Sequence, residues 1–460
     1  MITHTPAYRT AWGLNTRRWS SIVYIDQPGG LDVYEYGGSR LLGWEMLDEA
    51  RNDSTALGLI SANEIVIRLD NTDGAFDVMG SGNDIFRIGV RVQVYLTLDS
   101  MATPETFEIG TYYLDAWEIN DSEVILTCYD RLYLLMLQRL PLVLTQFDAS
   151  WNEYFALLFE SLGLTIFDYS ISRNLNRRQK YLWYEEGEAK KTLQLASEAA
   201  RAYISVNRGS NRIVVRPRII DGDAVLSYTG ADIVTRSAPA RSGQNYSRIT
   251  VNAHNYVNPG PEIIFSGQQQ EVKNGGLFLP GIRPPRTPFL RVTNVEISET
   301  DNVEIGTVKW GSNVIWLQIL NPGPTEEIDF EVWGEAAQSV VNSVTVDDPD
   351  AETTKPLTMD NAYVQSNGDA VEMASILMRI YQPGSQLSVD YVGDPVLEVG
   401  DIINLTYRGE TRKCFPYRHR LTFDGGLSGT IDAWSVRELE TWIDTGIGQK
   451  SIYKVTEEAE

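Results

Sequence analysis

Two stretches of this chain have the same pattern of residues and predict the same local structure. The first, FRIGVRVQVYL, spans residues 86–96, and the second, LEVGDIINLTY, spans residues 397–407. In each, a glycine follows alternating apolar residues and leads into a largely apolar strand. A hairpin follows each strand, with its turn at residues 120–122 after the first stretch and at residues 424–426 after the second. Repetition within a chain predicts two similar β-domains. Chance similarity between two glycine-led strands is the alternative.

The second hairpin has a clear local signature, RLTFDGGLSGTIDAW, at residues 420–434. Leu421 and Phe423 alternate with polar residues before the turn, and Ile431 continues the period of two after it. Glycine accepts the positive φ that tight hairpin turns require, so the Gly425-Gly426 pair predicts the turn itself.

The first 128 residues repeat this alternation without a long helical segment. EIVIRLDNTDG stops at a turn cluster, and DAWEINDSEVILTCYD predicts a strand, a turn and a second strand. Residues 1–128 are therefore predicted to form a first β-domain, either a barrel or a sandwich.

Residues 129–218 change character and predict a small α+β module. DRLYLLMLQRL favours a short helix that Pro141 ends. In SWNEYFALLFESLGL, Ser150 and Glu153 have the spacing of a capping box, and Gly163 marks the end of that helix.

The remaining chain returns to strands. Segments rich in proline and glycine (NPGPE and LPGIRPPRTP) predict a boundary, and the β-like runs after them predict an inserted β-sandwich. The predicted division is a second tube-like β-domain at 219–258 and 376–437, the insert at 259–350, a connector and helix start at 351–375, and a C-terminal tail at 438–460. The fold class is mainly β with a small α+β module.

The composition excludes several classes of protein. Proteins that bind tightly to DNA or to an anionic membrane present a basic surface to it. The formal charge of this chain is -23, so we expect neither tight DNA binding nor stable membrane binding. The two cysteines, Cys128 and Cys414, are too few for a disulfide framework or a metal knuckle. We expect synthesis in a cytoplasm.

Several segments, in their order along the chain, resemble the baseplate hub or tail-tip hub proteins of tailed bacteriophages and related contractile injection systems. They are ANEIVIRLDNTDGAFD, then GTYYLDAWEI with LTCYDRLYLL, and above all GDPVLEVGDIINL with HRLTFDGGLSGTIDAW. The resemblance covers both ends and the helical module, and it leaves out residues 259–350.

The resemblance implies a homotrimer at the tail tip or baseplate of a virion. Two tube-like β-barrel domains per chain would give six similar units assembled as a ring, which adapts a six-fold tail tube to a three-fold tip. Implied partners are a neighbouring tail-tube or distal tail protein, a spike, central fibre or other tip protein, and the tape-measure protein. DNA would pass through the channel without specific binding.

The sequence does not predict an enzyme, a cofactor or a metal site. Three histidines are present, and the motifs of zinc proteases, nucleotide-binding loops and serine hydrolases are missing. DNTDGAFD invites a calcium site through Asp70, Asp73 and Asp77, but its spacing favours a solvated turn. Two alternatives stay open: a cell-wall glycan hydrolase, and a carbohydrate-binding tail protein that stacks sugars on tryptophans of the insert, namely Trp310, Trp316 and Trp333.

Two basic clusters stand out from the acidic background and are candidate protein interfaces. SRNLNRRQK contains Arg173, Arg177, Arg178 and Lys180, and RGETRKCFPYRHR contains Arg408, Arg412, Lys413, Arg418 and Arg420. They are either solvated surface charges or docking sites for acidic neighbours, where complementary charge sets the register of binding.

Overall fold

The computed structural model of the chain describes residues 2, 4–13, 17–27, 33–51, 57–76, 85–101, 103–141, 145–184, 187–218, 222–235, 246–298, 300, 302–347, 355–381, 386–407, 409–435 and 455–459. Most of these residues lie in β-strands, which confirms the predicted β-rich class. The strands described form no closed barrel, so the two barrels predicted from the sequence are not seen as such. No helix within these ranges is long and apolar enough to cross a membrane.

Five antiparallel strands in the first part of the chain form what we call the first β-unit. They are Leu41–Arg51, Glu64–Asp70, Arg91–Leu98, Glu105–Ile119 and Glu123–Tyr129. Alternate residues of these strands, such as Ile65, Ile67 and Leu69, point into the core. The unit is preceded by the helix Pro6–Trp12, the strands Trp19–Asp26 and Val33–Gly37, and the 3-10 turn Gly38–Arg40.

Five later strands form the second β-unit. They are Ile233–Thr235, Gln386–Tyr391, Ile403–Tyr407, Glu410–Phe423 and Leu427–Ser435, preceded by the short strand Leu226–Tyr228. The predicted hairpin is present, with Phe423 opposite Leu427 and Gly425 at φ 91° in the turn. Glycine tolerates this conformation because it has no Cβ.

The two units have the same strand order. In each, the first strand pairs with the second, the second with the fifth, the fifth with the fourth, and the fourth with the third. All of these pairings are antiparallel. The glycines that lead into the two third strands, Gly89 and Gly400, have φ of 83° and 88°. The repeat in the sequence therefore corresponds to a repeated topology.

Most of the helical module lies between the units in sequence, and its strand Leu59–Ser61 lies between the first two strands of the first unit. Its helices are Arg131–Met136, Trp151–Ser161 and Ala189–Ala200, and its strands are Leu59–Ser61, Arg139–Leu140, Gln146–Ser150, Tyr169–Ile171, Arg178–Leu182, Gly187–Glu188, Ala202–Asn207 and Arg212–Pro217. Ser150 and Glu153 form the predicted capping box. The first helix ends at Met136, earlier than Pro141, because Arg139–Leu140 turns out to pair with Gly187–Glu188.

A four-stranded sheet packs beside this module. Its strands are Arg248–Val257, Gln338–Asp347, Pro356–Asp360 and Val455–Ala459, and the helix Asn367–Ile380 contacts it. The predicted division groups Arg248–Val257 with the second tube-like domain. In the structure its buried face instead shares a core with the helical module, through residues such as Ile249 and Val251.

Two three-stranded sheets form the insert and enclose one separate core. One sheet contains Glu262–Val272, Phe289–Ile297 and Glu326–Ala336, and the other contains Leu277–Ile282, Glu304–Trp310 and Ile315–Leu320. Phe289, Leu317 and Phe330 are among the residues buried between them.

Candidate assembly interface

The two β-units are joined edge to edge. The first strand of the first unit pairs antiparallel with the fourth strand of the second unit, from Trp44 opposite Phe423 to Glu49 opposite Arg418. The rings of Trp44 and Phe423 stack with centroids 5.9 Å apart. This contact, which we call the junction, makes one continuous sheet from both units.

Close backbone packing at one end of the junction requires a glycine. A Cβ added at Gly43 would lie 2.3 Å from the carbonyl oxygen of Phe423. On the exposed side, the Arg420 guanidinium is 3.2 Å from the Glu45 carboxylate. An exposed pair of this kind contributes little to stability, so the junction is stabilised mainly by the packing of its strands.

Buried charges from three segments meet beneath the junction. Arg208, in the turn after Ala202–Asn207, is 2% exposed and interacts electrostatically with Asp48 of the first unit and Glu398 of the second. Its Nε is 3.9 Å from a Glu398 carboxylate oxygen, and its guanidinium donates a hydrogen bond to the Leu397 carbonyl. The Asp48 carboxylate accepts hydrogen bonds from the Ser61 hydroxyl and, at 3.2 Å, from the Val399 N–H.

The electrostatics of this cluster follow from its burial. Burial raises the pKa of Asp48, and the Arg208 guanidinium opposes that rise. Burial, reinforced by Arg208, holds the pKa of His419 well below its usual value, so this imidazole stays neutral. The neutral ring has a hydrogen-bond partner, because its Nε2 is 2.7 Å from the Tyr391 hydroxyl.

The N-terminal helix contacts the second unit through a buried carboxylate. Asp394 accepts hydrogen bonds from the hydroxyls of Tyr8 at 2.8 Å and Tyr228 at 3.1 Å, and it forms an ion pair with Arg9 at 2.6 Å. The indole N–H of Trp12 donates to the carbonyl of Gly393 at 3.1 Å. Residues distant in sequence thus hold the start of the chain against the second unit.

The first basic cluster is used partly inside the chain. Arg177 is half-buried, forms an ion pair with Asp369 and donates to a backbone carbonyl. Lys180 donates to the Tyr256 carbonyl at 2.8 Å. Arg178 is exposed and 3.1 Å from Asp148, and Arg173 is exposed.

The second basic cluster lies on the fourth strand of the second unit. Arg412 is 2.9 Å from Glu410, and Lys413 lies opposite Asn404 of the third strand. Arg418 and Arg420 lie further along the same strand, within the junction. Arg408 lies outside the described residues.

The residues considered for a calcium site or for sugar stacking make ordinary intramolecular contacts where they are described. Asp73 accepts two hydrogen bonds from the Arg40 guanidinium, at 2.8 and 2.6 Å, and Asp70 accepts one from the Thr72 N–H at 3.1 Å. Asp77 lies outside the described residues. Of the insert tryptophans, Trp310, Trp316 and Trp333 are all half-buried, and Trp310 packs against the core of the insert.

Sequence reasoning missed the buried charges under the junction. Arg208 is in the turn NRGSN and looks like an ordinary surface residue in sequence. The only signal was the acidic pair of LEVGD inside an otherwise apolar segment of the second unit.

Comparison with known proteins supports the fold. No family model matches the chain, and no curated protein matches it by sequence. Among solved structures, the 43 kDa tail protein of prophage MuSo2 from Shewanella oneidensis is 11% identical, with 90% of this chain and 98% of that chain covered at a TM-score of 0.50. The tail protein from Neisseria meningitidis MC58 is 9% identical, with 91% and 96% covered at a TM-score of 0.52. The expected resemblance to phage tail proteins is thus confirmed in the fold.

Proposed function

We propose that this chain is a structural subunit of a phage tail tip or baseplate and that three copies form its hub. Each copy contributes two β-units, so a trimer presents six similar units around one axis. Such a ring matches a six-fold tail tube on one side and a three-fold tip on the other.

The observation that carries the proposal is the duplicated unit. Five strands with the same order and the same antiparallel pairings occur twice in one chain, and the junction joins them side by side. A ring with six-fold character needs this arrangement, in which one unit follows another around an axis. The overall likeness to two tail proteins supports the same assignment.

The charge of the chain fits a channel for a polyanion. With a formal charge of -23, a channel wall built from this protein repels DNA on average and lets it slide during ejection. The tape-measure protein occupies the same channel before the DNA passes. The basic residues of the two clusters are the docking sites for acidic neighbours in the tail. Arg173, Arg178 and Lys180 are exposed, Arg177, Arg412 and Lys413 are half-buried, and Arg408 belongs to the same segment of sequence as the last two.

The mass of the purified chain in solution tests the proposal. Light scattering should give three times 51.7 kDa, and electron-microscopy averages should show six similar units around a central opening. A stable dimer, or a trimer without an axial opening, would contradict it. Peptidoglycan zymography of the same preparation should show no clearing, because the proposed role is structural.

A further inference from the structure

Resting on the proposed trimer, we propose how one copy binds the next: the exposed edge Asp115–Ile119 of the first β-unit pairs with the strand Ile233–Thr235 of a second copy. Ile88 and Trp117 become buried at this contact. The partner is therefore another copy of this chain, and the contact repeats the junction already present inside each copy.

The junction shows what covers a fourth strand in this fold. In the second unit, the fourth strand has the fifth strand on one side. On its other side, the third strand covers its beginning, and the first strand of the first unit covers residues 418–423. Its core-facing residues Leu421 and His419 are fully buried as a result.

The same edge is open in the first unit. The third strand covers its fourth strand as far as Tyr113, and among the described strands Asp115–Ile119 pairs only with Glu123–Tyr129. Trp117 lies opposite the buried Leu126, on the core-facing side, yet 37% of its surface is exposed. A strand edge of this kind exposes unpaired N–H and C=O groups that readily accept another strand.

The matching strand is also open. The strand Ile233–Thr235 holds the position in the second unit that Leu41–Arg51 holds in the first, because each pairs with the second strand of its unit. Among the described strands, Ile233–Thr235 has no other partner, and the side chain of Val234 is 68% exposed. Thus each copy carries one open edge of each type, at opposite ends of its pair of units.

One pair of equivalent residues shows what the missing contact would bury. Gly89 and Gly400 each donate a backbone hydrogen bond to the fourth strand of their unit, to Leu114 at 2.7 Å and to Pro416 at 3.4 Å. The residue before Gly400 is Val399, whose N–H donates to Asp48 at the junction and which is 1% exposed within the core that contains the helical module. The residue before Gly89 is Ile88, which is 75% exposed. A second copy that covers Ile88 would explain why this exposed position is occupied by a large apolar residue.

Edges of opposite type on one chain define how copies associate. The open fourth strand of one copy meets the open first strand of the next, so the contact is head-to-tail, and a ring closes when three copies have joined. The two kinds of contact around the ring, within and between chains, then have the same geometry.

Photo-crosslinking tests the pairing. A benzophenone amino acid in place of Trp117, irradiated in the purified full chain, should join two copies and give covalent dimers and trimers on a denaturing gel. Mass spectrometry should locate the linked partner in the tryptic fragment 219–236, which contains Ile233. The same group in place of Phe278, which is 60% exposed on the insert, is the control and should not link to that fragment.

The outcomes separate the pairing from the proposed function. Links from position 117 to fragment 219–236 of another copy support the pairing. A trimer by light scattering whose links fall elsewhere overturns the pairing and leaves the trimeric hub standing, whereas the absence of a trimer at any concentration overturns both.

A substitution provides a second readout that does not depend on crosslinking. Ile88→Asp places a charge in the proposed contact and should weaken trimer formation at least about tenfold, with the circular dichroism spectrum of the chain unchanged. Phe278→Asp should leave the trimer intact. Equal trimer formation by Ile88→Asp and the parent chain would contradict the buried position of Ile88.

Discussion

The buried cation under the junction gives the sharpest test of what holds the two β-units together. Arg208→Met keeps an apolar stem of similar length but removes the charge between Asp48 and Glu398. Removing one partner from a buried charge cluster typically costs about 3–5 kcal/mol, because the remaining charges stay desolvated. Asp48 keeps its hydrogen bonds from Ser61 and Val399, so we expect the lower end, about 3 kcal/mol.

The loss should depend on pH in a defined direction. Without Arg208, the pKa of Asp48, already raised by burial, rises further. A carboxyl whose pKa is higher in the folded than in the unfolded state binds more protons when folded, so stability falls as pH rises. The stability deficit of Arg208→Met should therefore shrink as the pH is lowered from about 8 to about 5.

Guanidinium denaturation, compared at constant slope, measures both effects. Arg68→Met is the matched control, because Arg68 is 2.8 Å from Glu123 in an exposed pair whose loss should cost at most about 1 kcal/mol. Adding Asp48→Asn to Arg208→Met should recover part of the loss, since the two residues interact. The reasoning is refuted if the Arg208 and Arg68 variants are equally stable, or if the deficit grows in acid.

Three further substitutions test a contact at the junction and two contacts of the helical module. Gly43→Ala should cost about 1–3 kcal/mol in denaturation, because its Cβ would collide with a backbone oxygen across the junction, whereas Gly426→Ala, with open space around it, should be tolerated. Ser150→Ala removes the helix cap and should lower the free energy of unfolding by about 1 kcal/mol, with Ser150→Thr as the conservative control. Arg177→Glu should lower the melting temperature because it places two carboxylates together at the half-buried Asp369, while Arg178→Glu, which reverses an exposed pair with Asp148, should lower it much less; equal melting of the two variants would show that the internal ion pair is unimportant.

The sequence predicted the parts of the fold that depend on local pattern. Period-two alternation located the strands around Ile67 and Leu421, and the spacing of Ser150 and Glu153 located a helix start, because these signals arise within a few residues. Repetition of the glycine-led strand also predicted two units of one topology.

Contacts between distant segments could not be predicted in this way. The pairing of Trp44 with Phe423 and the placement of Arg208 between two carboxylates depend on how the units pack together, and no local pattern encodes that. Arg177 illustrates the same limit, because its sequence neighbours indicate a solvated basic loop while its partner, Asp369, is in a helix far along the chain.

The position of the insert in the structure leads to a prediction about the whole architecture. Val257 and Gln338, which flank the insert, are directly opposite each other on adjacent antiparallel strands. A two-residue hairpin turn could therefore join these strands in place of residues 258–337. The insert has its own core. Its described hydrogen bonds to the helical module include those from Thr145 to the Phe289 carbonyl and from Ser312 to the Tyr184 carbonyl.

Replacing residues 258–337 by Asn-Gly should therefore leave a folded chain, because this dipeptide favours the tight turn that joins two such strands. We expect a loss of about 1 kcal/mol for each hydrogen bond removed, measured by denaturation, with the proposed trimer retained in light scattering. The junction and both open strand edges lie outside the deleted segment, so assembly should not depend on it. A folded deletion variant that no longer forms trimers would show that the insert, and not the repeated β-unit, holds the copies together.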